Sequence, residues 1–288
     1  MSIDVLHEKI RKLKNPLVID FAVKESLIPA HLIEQEGDVL RAYRRFCTEL
    51  MEGLKGIAPA VRFSFSAFSL YGGEGLLVLE QLLSEAKNLG FYIYLDSPNV
   101  LSPWDADRTA EKIMQYTFDA LIVSPYIGSD AVKPFIPMVK DTDKELVVIV
   151  RSPNKTASEL QDLLTGSRLV HGATADLVNR FGTSIYGKCG YSRVCAAVSA
   201  GSPDGIRNIR SNYKFMYLFV DGMDYPSGNA KNCSYAFDRY GYGAAVNVGP
   251  SVTGAWLEAE SDGSDYVSHA VAAAERLNKN INRYINIL

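Results

Sequence analysis

LLVLEQLLSEAKNLGFYIYLD, residues 76–96, contains one complete unit of the fold. Over the first fifteen residues the apolar positions recur at intervals of three and four, the spacing of a helix with one buried face. Gly90 is placed to stop that helix. The next six residues, FYIYLD, are apolar almost without a break until the aspartate. A strand with one wet face alternates, whereas a strand covered on both faces reads as a continuous run, as this one does.

The unit recurs along the chain. Similar runs are LVIDF (17–21), PAVRFSFS (59–66), ALIVSP (120–125), LVVIVRS (146–152), VCAAVSA (194–200), FMYLFVD (215–221) and AAVNVG (244–249). Helical patterns separate them, as in VLRAYRRFCTELMEGLKG (39–56). Eight strands alternating with helices imply parallel pairing through crossovers. Eight units in 288 residues favour a closed (β/α)8 TIM barrel, an α/β fold, over an open sheet. No linker or low-complexity tract divides the chain, so residues 1–288 are expected to form a single domain. A short amphipathic helix over about residues 3–14 should precede the first strand, and a closing helix over about 265–285 should pack on the outside.

Composition excludes several functions. The chain is 47% hydrophobic and 22% charged, with a net charge of -3. Neither this charge nor a pI near 5.9 suits a nucleic-acid partner, which usually needs a basic patch. The charged N-terminus has no signal-like apolar region, and no apolar run reaches the roughly 18 residues of a spanning helix. The expected location is cytoplasmic, without a membrane. Cys47, Cys189, Cys195 and Cys233 form neither C-x-x-C nor a secreted disulfide pattern. His7, His31, His171 and His269 are scattered without metal-ligand spacing. No cofactor and no metal are expected.

In a barrel of this kind the site lies at the C-terminal ends of the strands. The polar residues there are Asp20; Arg62, Ser64 and Ser66; Asp96, Ser97 and Asn99; Ser124 and Tyr126; Arg151, Ser152 and Asn154; Ser199 and Ser202; Asp221 and Asp224; Asn247 and Ser251. Arg62 and Arg151 suit a phosphate or carboxylate clamp. Asp96 and Asp221 suit hydroxyl binding, proton transfer or a divalent cation. The competing reading is that the charges neutralise one another, with Arg62 paired to Asp96 across neighbouring strands. Phe63, Phe65, Phe68 and Tyr71 suit either the core or stacking on a base. Trp104 suits a pocket lip, a partner surface or simple loop packing.

The stretches MSIDVLHEKIRKLKNP, PAVRFSFSAFSLYGGEG, LIVSPYIGSDAVKPF, SELQDLL and CGYSRV together resemble the longer-chain bacterial orotidine 5′-phosphate decarboxylases, in the expected order over nearly the full chain. The resemblance implies a (β/α)8 barrel, a homodimer with sites at the subunit interface, and a lyase of pyrimidine biosynthesis that uses no cofactor or metal.

Carried over residue by residue, the family's motifs are altered. Its lysine near the end of the second strand falls on Arg62. Its Asp-x-Lys-x-x-Asp falls on Asp96-Ser97-Pro98-Asn99-Val100-Leu101, where only the first aspartate is kept. The proton-donating lysine becomes Pro98, and the aspartate that reaches the partner's site becomes Leu101. Its Gly-Leu-Asp-Pro falls on Asp20-Phe21-Ala22-Val23, putting Ala22 at the ribose-binding aspartate. On the phosphate side, Pro226 replaces a glutamine and Asp224 adds a negative charge. Asn247-Val248-Gly249-Pro250 lacks the phosphate-gripping arginine. Ser152 and Asn154 lie in a segment resembling the base-side turn.

The expectation is a decarboxylase homologue that has lost the reaction and binds a nucleotide-like anionic ligand or a protein partner, as a homodimer or as a heterodimer with an active family member. Asp96 and Arg62 are the remnant catalytic positions. Asp20, Ser64, Asn99, Tyr126, Arg151, Ser152, Asn154, Asp221, Asp224 and Asn247 are the candidate ligand-binding positions. The alternatives are active orotidine 5′-phosphate decarboxylase and a new chemistry at an Asp-rich mouth.

Overall fold

In the computed structural model, which describes residues 2–285 and 287, eight parallel strands close into a barrel. They are β1 (Leu17–Asp20), β2 (Ala60–Ser64), β3 (Tyr92–Asp96), β4 (Ala120–Val123), β5 (Glu145–Ile149), β6 (Val194–Ser199), β7 (Leu218–Asp221) and β8 (Ala244–Val248). Each pairs with its sequence neighbours, and β8 closes on β1. This is the (β/α)8 barrel that the alternation of runs implies. A short antiparallel hairpin joins Leu164–Thr165 to Arg168–Leu169 between β5 and β6.

The interior is filled rather than open. Every second residue of each strand points inward, and those of the lower barrel are large: Tyr92, Tyr94, Tyr217 and Phe219 pack with Val18, Ile122, Val147 and Cys195. The helix α1 (Ser2–Leu13) inserts Ile3, Leu6 and Ile10 into the same cluster. It closes the end where the strands begin, leaving the opposite end as the mouth. The other faces of the strands pack under the outer helices. Here Phe21 stacks on Phe63 at 5.4 Å and Tyr43 on Phe68 at 5.0 Å.

Local signals set the helix limits. Asp38 caps Val39–Leu54 by accepting a hydrogen bond from the Arg41 N–H at 2.9 Å, which satisfies one of the free amides of the first turn. The helix Gly72–Asn88 ends just before Gly90, whose φ of +88° favours glycine. Strand β2 stops at Ser64 because the Ser64 hydroxyl caps a short helix, Phe65–Ser69. Tyr266–Ile281 packs on the outside through Tyr266, Ala270, Ala273 and Ala274. No helix among the described residues is long and apolar enough to cross a membrane.

Candidate functional site

The inward alternation that puts Ala60 and Tyr94 inside the barrel puts the next inward residues at its mouth. Register pairs Asp20 with Arg62, Ser64 with Asp96, and Ser199 with Asp221. Arg62 is the hub. Its Nε and Nη2 donate to the two oxygens of Asp96 at 2.9 and 2.8 Å, and its Nη1 donates to Asp20 at 3.0 Å and Asp221 at 3.2 Å. Four of the five guanidinium N–H groups are thereby used. The guanidinium also lies 5.8 Å over the Phe219 ring.

Little of this cluster is wet. The side chains of Arg62, Asp20, Asp96 and Asp221 are 16%, 15%, 22% and 20% exposed. Burial opposes the charge on Arg62, but Asp96, Asp20 and Asp221 hold its pKa well above the ordinary value. Burial raises the Asp96 pKa, against the pull of Arg62. Asn247 completes the ring, its amide donating to Asp20 and Asp221 at 3.0 Å each. Asp224, on the loop after β7, accepts a hydrogen bond from the Gly249 N–H. Burial raises its pKa too.

Above this layer is a cavity of about 630 Å³ lined by Asp20, Ala22, Lys24, Arg62, Ile149, Pro153, Asn154, Asp221, Asp224, Tyr225, Pro226 and Asn247, with Gly222, Gly249 and Pro250. A larger groove of about 980 Å³ lies outside the barrel, between Val170–Gly182 and Pro203–Asn212. There Arg168 pairs with Asp176 and His171 with Asp162, so its charges satisfy one another. The mouth cavity is the better candidate because its charged groups converge at strand ends.

The predicted residues divide accordingly. Asp20, Arg62, Asn154, Asp221, Asp224 and Asn247 line the cavity, and Asp96 lies directly behind Arg62. Arg151 is used elsewhere: its Nε and Nη2 bind the two oxygens of Asp162 at 3.0 Å each. Ser152 is held by Gln161, through its N–H at 2.9 Å and its hydroxyl at 3.1 Å. The Tyr126 hydroxyl donates to the Val150 carbonyl, and Ser64 serves as a helix cap. Asn99 is exposed in the loop after β3. None of these five lines the mouth cavity.

The strand-end carboxylate of β1 is Asp20, whose Oδ1 accepts the Ala22 N–H at 2.9 Å. The mouth therefore keeps an aspartate on this strand, whatever residue Ala22 replaces. Phe63 and Phe68 are fully buried and Phe65 packs edge-on against Tyr116 at 5.6 Å, which is the core reading of those aromatics. Trp104 is 65% exposed, with Arg108 4.4 Å over its ring. All four cysteines are free thiols. Among the described residues no group of three or more His, Cys, Asp or Glu is arranged to hold a metal ion.

Sequence reasoning missed Lys24, Pro153 and Tyr225 at the cavity wall. Lys24 was findable as the only cation in the loop after β1. Pro153 and Tyr225 carry no chemical signature, and reach the cavity only because of how their loops fold.

Comparison with known proteins agrees with this architecture. The chain is 26% identical over 265 residues to the orotidine 5′-phosphate decarboxylase of Rhodopirellula baltica, covering 86% of each chain. It is 26% identical over 302 residues to that of Caldicellulosiruptor bescii, covering 98% of each. The chain resembles the orotidine 5′-phosphate decarboxylases over nearly its whole length. No family model matches it. Among solved structures, a putative orotidine-monophosphate decarboxylase from Toxoplasma gondii superimposes with a TM-score of 0.80 at 16% identity, over 98% of this chain and 97% of that one. That likeness carries the barrel fold.

Proposed function

We propose that this barrel is a decarboxylase homologue that has lost decarboxylation and acts as a non-catalytic binding protein. The observation that carries the reading is the closed ion pair of Arg62 and Asp96, in which both carboxylate oxygens are taken by one guanidinium. A decarboxylation that leaves negative charge on carbon needs a donor to deliver a proton there. Pro98 has none, and Leu101, 80% exposed, adds no charge. Arg62 does not titrate in a protein, so it cannot act as the acid. Preorganised charge is usually the largest part of rate enhancement, and losing one such group costs roughly a hundred- to a thousandfold.

A bound ligand and a protein partner are both compatible with this reading. The names of the relatives support a nucleotide-like ligand at the mouth. Leu70, Leu101, Trp104 and Ile127, exposed by 87%, 80%, 65% and 46%, follow β2, β3 and β4 and support a partner face, in a homodimer or with an active relative.

The deciding experiment is a decarboxylation assay on orotidine 5′-monophosphate at high protein concentration and long times, beside a Pro98→Lys, Leu101→Asp double variant. The expected result is no turnover by the unmodified protein. Clear turnover would overturn the proposal.

A further inference from the structure

We infer that the groove outside the barrel is a second site, an acyl-transfer centre in which Ser202, His171 and Asp162 hydrolyse esters of aliphatic carboxylic acids. It is separate from the mouth and independent of the reading given to the mouth above.

His171 is set up as a base. Its Nδ1 lies 3.0 Å from the Gln161 carbonyl oxygen and 3.1 Å from Asp162 Oδ1. Both are acceptors, so in the neutral ring Nδ1 carries the proton and Nε2 keeps its lone pair. Arg151, hydrogen-bonded to both Asp162 oxygens, holds that carboxyl below its ordinary pKa, so Asp162 stays an acceptor. The pairing that satisfies His171 uses Nδ1 alone. Nε2 has no hydrogen-bond partner among the described residues and is not sealed from solvent, although His171 as a whole is only 6% exposed and lines the groove.

Ser202 supplies the nucleophile at the same point. It stands just before the helix Pro203–Asn212, where a serine ordinarily caps, but its hydroxyl makes no cap hydrogen bond. A Cβ on Gly205 would lie 2.7 Å from Ser202 Oγ and 3.3 Å from His171 Nε2. The hydroxyl and the free ring nitrogen therefore converge over one glycine, whose missing side chain leaves the gap between them open. No hydrogen bond joins them in the empty groove, and catalytic hydrogen bonds of this kind often tighten only once substrate is bound.

The surroundings suit an ester. Among the described residues the N–H groups of Asp204 and Gly205 have no backbone acceptor, as the first turn of a helix leaves them. They are donors for the oxyanion that forms on attack. Leu164, Leu169, Ala175, Ile209 and Tyr213 line the rest of the groove and offer an apolar seat to the acyl chain. In the reaction the Ser202 oxygen bonds to the acyl carbon as its proton passes to Nε2. That proton then goes to the leaving alkoxide and frees the alcohol. Water, giving a proton to Nε2, attacks the acyl-serine; the serine oxygen takes the proton back and the acid leaves.

The test treats the full-length protein with an alkyl fluorophosphonate and locates the label by peptide mass spectrometry, beside hydrolysis of p-nitrophenyl butyrate. Label is expected on Ser202. Ser202→Ala, which removes a hydroxyl with no partner, should keep its melting temperature, lose the label and lower ester hydrolysis at least about tenfold. His171→Gln should slow labelling about a hundredfold or more. If that variant does not fold, Gly205→Ala replaces it: alanine suits a helix but fills the gap, so labelling should fall. No label, label at another residue, ester hydrolysis unchanged in Ser202→Ala, or labelling as fast in a folded His171→Gln would each overturn the inference.

Discussion

Arg62 and Asp96 face each other across β2 and β3 in a two-pronged ion pair, at 2.9 and 2.8 Å. Arg62 Nη1 also binds Asp20 and Asp221, so one guanidinium ties together the ends of four strands. Removing it would leave three buried carboxylates in mutual repulsion. Arg62→Met should therefore cost about 3–5 kcal/mol at neutral pH, the usual cost of breaking a buried pair. The loss should shrink in acid, where the carboxylates protonate. Urea unfolding at pH 7 and pH 4 checks both points, and equal losses at the two pH values would contradict this account.

Arg151 stands at the end of β5 and reads in sequence as a clamp for an anion. Its bidentate bond to Asp162, with His171 Nδ1 3.1 Å from the same carboxylate, makes it a tie between the β5 loop and the helix beginning at Val170. Arg151→Gln should lower stability by about 1–3 kcal/mol, as expected for a charged hydrogen bond at a poorly exposed site. It should leave ligand titrations at the mouth unchanged. A large loss of binding with normal stability would restore Arg151 to the site.

This contrast shows what the sequence could and could not carry. The apolar runs located every barrel strand, because burial on both faces leaves an unbroken pattern. The boundaries slipped where polar chemistry intervened: Ser64 turned the end of PAVRFSFS into a helix cap, and β7 begins at Leu218, since Phe215 is 63% exposed. Strand-end position correctly brought Asp20, Arg62, Asp221 and Asn247 together, since alternation fixes which residues point inward. It failed for Arg151 and Ser152. Their partners, Asp162 and Gln161, lie in a helix and turn whose docking depends on long-range packing and leaves no local pattern.

Gly228 governs the shape of the loop carrying Asp224. A Cβ there would fall 2.1 Å from the Gly222 carbonyl oxygen and 2.8 Å from that of Met223. Both obstacles are backbone, so the loop must move. Gly228→Ala should destabilise by about 1–3 kcal/mol, the range for overpacking. Differential scanning calorimetry checks it, and a variant as stable as the unmodified protein would mean that the loop backbone gives way at little cost.

At the opposite end of the barrel, Glu145 opens β5 fully buried beneath the mouth layer. Burial pushes its pKa up from 4.5 to about 8, against the lowering effects of Tyr92, Arg193 and Ser2. A carboxyl raised in the folded state is favoured there in its neutral form. Its contribution is therefore fully present below the unfolded value near 4.5, and is lost as pH rises toward 8. Unfolding free energies of the protein and of Glu145→Gln, measured by urea at intervals from pH 4 to 9, should diverge across that window. The unmodified protein should lose roughly 3–5 kcal/mol relative to the variant and then run parallel to it above the upper limit. Groups elsewhere titrate in both proteins and cancel in the difference. A difference that stays flat from pH 4 to 9 would show that Glu145 keeps its ordinary acidity, and that the barrel base admits water the packed interior has no room for.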